Sequence, residues 1–173
     1  MVADYNILLK IYMLVFAIGI SFSAPFYPAI REAYEKHDAG WVFRALRRVL
    51  FIRTGIILIA GICLLFTGDL LIRMWLNLSL ESHFGFLGWF SFLLSLVFAS
   101  TSSTLGEILT SLDDIWSQIK IVFISAAIVI TSMYLLIPSI GVAGVFLAMA
   151  LSTIYAILWS WRRLHLKLQE RFT

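Results

Sequence analysis

Residues 25–51 read PFYPAIREAYEKHDAGWVFRALRRVLF, the one long break in a sequence that is otherwise almost continuously apolar. The segment carries Arg31, Lys36, Arg44, Arg47 and Arg48, with membrane-length apolar runs on both sides. A basic stretch between two such runs orients a membrane protein, because Lys and Arg are retained on the cytoplasmic side. Residues 31–48 therefore read as a cytoplasmic loop. Within them, Asp38 is placed to cap a helix starting near Ala39, since its carboxylate can accept the orphan N–H groups of a first turn. That helix is expected to run on into the next apolar segment.

Composition supports a lipid environment. Of 173 residues, 61% are hydrophobic and 13% are charged, whereas a soluble domain holds about a quarter charged residues. The single cysteine, Cys63, excludes a disulfide framework or a Cys-based metal site within one chain. His37, His83 and His165 fall in three separate polar segments, and they read as interfacial residues rather than as metal ligands. The net charge is +3, and membrane topology accounts for the cations, so nucleic-acid binding is not expected. No cofactor is expected either.

Outward from the basic segment, hydropathy gives five helical spans at about residues 5–30, 49–76, 84–106, 121–137 and 141–161, with a basic tail over 162–173. The first is charge-free over residues 11–30, and about 20 such residues cross a bilayer. Pro25 and Pro28 should bend or stop it, since proline removes a backbone donor and clashes with the preceding turn. In the second, the uncharged residues 54–68 cover only about 22 Å at helical rise, short of the roughly 30 Å core. Arg53 and Arg73 must therefore snorkel in opposite directions or face the interior of a bundle. Asp69 and Arg73 are spaced for a helical ion pair. Ser91, Ser95, Ala99 and Ser103 form a stripe of small residues that Glu107 extends, and Gly144, Ala148, Ser152, Ala156 and Ser160 form another. Such stripes let neighbouring helices approach closely. The polar connection over 107–120 carries Asp113 and Asp114, and the fourth run is expected to end at Pro138 and Gly141. Trp75, Trp89, Trp116, Trp159 and Trp161 fall near span ends, where tryptophan favours the headgroup layer. The fold expected is an all-α polytopic bundle forming a single domain over 1–173, with both basic segments cytoplasmic. Asn77-Leu78-Ser79 matches a glycosylation acceptor on the opposite side. The first residues do not read as a secretory signal, because Asp4 and Asn6 replace a basic n-region. VADYNILLK following directly on Met1 reads like the interior of a membrane protein, so a C-terminal fragment lacking at least one preceding helix is expected.

Five segments taken in order, VADYNILLKIY (2–12), PFYPAIREAYEKHD (25–38), WVFRALRR (41–48), LIRMWL (71–76) and IPSIGVAGVFLAMALS (137–152), resemble the C-terminal half of bacterial polysaccharide flippases. These are the Wzx-like O-antigen transporters of the multidrug and oligosaccharidyl-lipid exporter superfamily. The resemblance implies a MATE-like carrier of two six-helix lobes around a central cavity, of which this chain would supply the last five helices of the second lobe. It also implies the inner membrane of a bacterium. The cargo it implies is a polyprenyl-diphosphate-linked oligosaccharide of lipopolysaccharide assembly, and the partners are membrane lipid and the helices of the missing lobe. A flippase needs a wet cavity with polar and cationic groups, and an ionisable residue within a span is a functional candidate. Lys10 would attract the diphosphate, or snorkel at the boundary. Tyr5 and Asn6, a turn earlier, would bind sugar hydroxyls or belong to the interface. Arg53 is a candidate cavity cation, and Asp69 with Arg73 a coupling site or a structural pair. Glu107 would face the bundle interior or the headgroup layer. No span brings a carboxylate pair to a histidine, and no glycine loop is built to cradle phosphate, so an enzyme is not expected. An exporter of another small cargo and an inactive structural subunit are the competing readings.

Overall fold

The computed structural model describes residues 2–76 and 85–172, with side chains described over 5–74 and 85–171. The described residues are helical apart from short turns: α1 (Val2–Ser23), α2 (Phe26–Glu35), α3 (Ala39–Leu76), α4 (Gly85–Ser111), α5 (Ile115–Ile140) and α6 (Val142–Phe172). All but α2 are long and apolar enough to cross a membrane. The expected all-α polytopic bundle is what the chain forms.

The proline pair divides the first expected span. α1 ends at Ser23, and residues 26–30 belong to α2, with Pro25 at its N-cap and Pro28 inside its first turn. Proline is tolerated there because first-turn N–H groups have no helical partner. The expected loop over 31–48 is a correction: only residues 36–38 are non-helical, with His37 in the left-handed region at φ 61°. α2 is an amphipathic helix with Ile30 buried, and α3 begins at Ala39 as Asp38 predicts. The Trp41 N–H donates to Asp38 Oδ1 at 2.9 Å. At 38 residues, α3 is about 57 Å long, so its basic first turns project beyond a roughly 30 Å hydrocarbon layer.

The later boundaries also lengthen. α4 continues past the expected end at residue 106 to Ser111, and α5 starts at Ile115 rather than 121. α5 retains Pro138 two residues before its end at Ile140. A proline so near the C-terminus removes one hydrogen bond without stopping the helix. Gly141, at φ 59°, then reverses the chain. A Cβ on Gly144 would lie 2.8 Å from the Leu136 carbonyl carbon, so only glycine lets α6 lie against the α5 backbone. The expected tail over 162–173 is helical to Phe172.

α4 is the central helix, packing along α6 and α3, while α5 leans mainly on α6. Two apolar clusters hold these helices. One, near the basic end, joins Ile30, Val42, Leu46 and Val49 to Leu105, Leu109, Leu164 and Leu168. The other joins Leu8, Tyr12, Ile57, Trp89, Phe92, Leu96 and Phe146. On α3, Val49 belongs to the first cluster and Ile57 to the second, and Arg53 lies one helical turn from each. A charged layer therefore separates the two cores.

Candidate functional site

Arg53 is fully buried. It does not snorkel outward from the bundle, so the interior alternative of the sequence reading is the one realised. Its Nη1 donates to Glu107 Oε2 at 2.7 Å, Tyr27 Oη at 3.1 Å and Ser23 Oγ at 3.3 Å. Its Nη2 donates to Ser103 Oγ at 3.1 Å. The Ser103 hydroxyl donates to Glu107 Oε1 at 2.6 Å, and the Tyr27 hydroxyl donates to Glu107 Oε2. The Phe16 ring covers the guanidinium, its centroid 5.2 Å from Cζ. Four residues from α1, α2 and α4 (Phe16, Ser23, Tyr27 and Ser103) thus converge on one ion pair. Such convergence is what a buried ion pair needs, since desolvation of each charge has to be offset by good geometry and further hydrogen bonds. Burial, and then the Glu107 carboxylate, push the Tyr27 hydroxyl up to about 12, so it remains a donor.

Glu107 is not sealed in. Its side chain is 30% exposed, and it lines a cleft of about 690 Å³ between α4, α5 and α6. Ser102, Ser103, Thr110, Gln118, Ser125 and Ser160 also line it. Hydroxyls, one amide and one carboxylate are set into a lining whose remaining surface is apolar, with Gly106, Ile121, Val122 and Ala156 among its walls. Gln118 Nε2 and Ser125 Oγ are buried there with no hydrogen-bond partner among the described residues. A buried polar atom with no partner costs on the order of 1–3 kcal/mol, so both atoms retain hydrogen-bonding capacity that the described residues do not use. The cleft forms because the small residues of α4 and α6 (Ser103, Gly106, Ala156 and Ser160) leave room where bulkier side chains would meet. A Cβ on Gly106 would stand 2.8 Å from Gln118 Oε1. The small-residue stripes are accordingly packing faces along most of their length, with Ser91, Ser95, Ala148 and Ser152 buried, and cleft walls at one end.

The other candidates lie apart from this site. Lys10 is exposed, and among the described residues it makes no ion pair. Asn6 is exposed, while the Tyr5 ring packs on Phe146 with centroids 6.3 Å apart. Asp69 and Arg73 do not pair among the described residues. Asp69 instead accepts a 2.8 Å hydrogen bond from Trp89 Nε1. Trp89, near the start of α4, is buried within the bundle, with the α3 backbone at Gly68 against its ring. Trp116 and Trp161 are exposed, as expected near span ends. The Trp75 side chain and the Asn77-Leu78-Ser79 acceptor lie outside the described residues.

A second set of charges ties the basic end. Arg31 on α2 pairs with Asp113 at 3.0 Å, and Arg163 on α6 pairs with Asp114 at 2.7 Å. Lys167 Nζ donates to the Leu112 carbonyl. The polar connection expected over 107–120 is therefore a three-residue turn held by three cations. Sequence reasoning missed Tyr27, Ser23, Gln118 and Ser125 as members of the site. The available signal was the α4 stripe ending on Glu107, and the depth of Arg53 in its run.

Comparison with protein-family models, with curated proteins and with solved structures gives no match.

Proposed function

We propose that this chain is part of a membrane carrier whose polar cleft contacts the sugar hydroxyls of a lipid-linked oligosaccharide during passage across the cytoplasmic membrane of a bacterium. The observation that carries the reading is the cleft between α4, α5 and α6, with hydroxyls set into its lining and two buried atoms that have no partner among the described residues. Hydrocarbon offers sugars no hydrogen bonds, so a carrier must replace their water with groups of this kind. The resemblance of residues 2–152 to polysaccharide flippases points the same way. In this reading Glu107 and Gln118 touch cargo. Arg53 is fully buried and already engaged by Glu107, and it acts as a positioning residue that holds the carboxylate toward the cleft. Other small polar cargo is the competing reading, and the same cleft would serve it.

The test is made in the cell of origin, with the gene altered at its own locus. Gln118→Ala and Ser125→Ala together should reduce surface polysaccharide at least tenfold at unchanged protein level, with lipid-linked precursor accumulating on the cytoplasmic leaflet. Normal surface polysaccharide in a Glu107→Ala, Gln118→Ala double variant would overturn the assignment of the cargo.

A further inference from the structure

On another side of α4 lies a site of opposite chemistry. α3 and α6 both pack along α4, yet their backbones scarcely approach each other. The space between them is a groove of about 930 Å³, with Leu46, Leu50, Phe51, Leu58, Trp161 and Leu168 in its walls. Thr54 and Thr101 approach to 3.5 Å, oxygen to oxygen, and Gly55 opens one wall, since a Cβ there meets nothing within 4 Å. Apart from that threonine pair the lining is apolar except at the basic end, where Arg47 and His165 complete it. Arg47 makes no ion pair among the described residues, and no carboxylate is part of the lining. Arg44, Arg48 and Arg162 stand beside it on the same helices and are exposed.

We infer that this groove is a binding site for an anionic phospholipid, which lays an acyl chain between α3 and α6 and sets its phosphate against Arg47 and His165. The reasoning is one of complementarity. An apolar trough in a lipid-surrounded helix pair takes hydrocarbon, and the unpaired cation at its mouth selects the sign of the headgroup. Basic pockets between membrane helices hold anionic headgroups in this manner. A second copy of the chain is a poor occupant, because it would bring the same cluster of arginines to the same end. The inference does not depend on the cargo proposed for the cleft.

Trp161 lines the groove and serves as the reporter. The purified protein is placed in bilayer nanodiscs containing acyl-chain-brominated phosphatidylglycerol or, separately, brominated phosphatidylcholine. The Trp161 signal is taken as the difference from Trp161→Phe. Phosphatidylglycerol should show a relative association constant about fivefold higher, the factor expected for one cation at a membrane surface. Arg47→Gln with His165→Gln should equalise the two lipids while quenching persists. Gly55→Phe should reduce quenching by both, because the ring fills the trough. Circular dichroism at matched helicity verifies the fold of each variant. Equal quenching by the two lipids in the unaltered protein would overturn the proposal. So would a disulfide joining two copies through Phe51→Cys in a Cys63→Ser background, which would mark the groove as a contact between chains.

Discussion

Arg53 and Glu107 are unequal partners, and the inequality can be measured. Arg53 is fully buried while Glu107 keeps 30% of its side chain exposed. Removing the acid strands a cation with no route to water, whereas removing the base leaves a carboxylate that the cleft can hydrate. Breaking a buried pair from one side costs about 3–5 kcal/mol. Glu107→Leu should approach that range, and Arg53→Met should cost clearly less. Replacing both should be milder than Glu107→Leu alone, since no charge is then stranded. Thermal melts in detergent would show the order, and a double variant less stable than either single would contradict this account. At Gly68 the issue is volume. A Cβ there would lie 2.3 Å from the Trp89 ring. Gly68→Ala should therefore cost about 1–3 kcal/mol and break the bond from Trp89 Nε1 to Asp69, which a shift in Trp89 fluorescence would report.

Among the helices, the turn at residues 112–114 is where α2, α4, α5 and α6 are tied together. Burial pushes the Asp114 carboxyl up, but hydrogen bonds from Arg163 and Ser117 and the charges of Arg163 and Lys167 together outweigh it and hold it below its ordinary 3.8. A carboxylate with a depressed value in the folded chain adds stability that is present above its unfolded value and lost as pH falls through the folded one. The tie should therefore hold at neutral pH and loosen only as pH drops below about 3.8. Hydrogen exchange of residues 110–116 against pH tests this. Arg163→Gln should raise exchange at neutral pH and flatten the acid response, and an unchanged profile would remove Asp114 from the tie. The same region shows how far patterning can be read. The capping role of Asp38 and the break at Pro25 and Pro28 are local matters and were legible. The helix from Ala39 was legible for the same reason, but the helical character of residues 31–35 and of the tail was hidden, because an amphipathic or basic helix leaving the bilayer has the hydropathy of a loop.

In the assembled bundle, five long helices place the ends of α2, the start of α3, the α4–α5 turn and the end of α6 on one side. Cysteines introduced at 44, 113 and 170 in a Cys63→Ser background should react with an impermeant maleimide from the same side, and a cysteine at 139 from the other. The segregation of Lys and Arg leads to the expectation that the first side is the cytoplasmic one. Labelling of residue 44 from outside intact cells would contradict that orientation.

Composition and period determined the class of this protein, its count of long apolar helices and the two small-residue packing faces, because these follow from the lipid solvent and a 3.6-residue repeat. The pairing of Arg53 with Glu107 was decided in three dimensions. The two residues are far apart in sequence, and neither carries a mark naming its partner. Only the packing of α1, α3 and α4 around one charged layer brings them together, and only the divergence of α3 and α6 from α4 opens a trough beside Arg47. A charge deep in an apolar run shows that something must meet it, and the fold supplies what does.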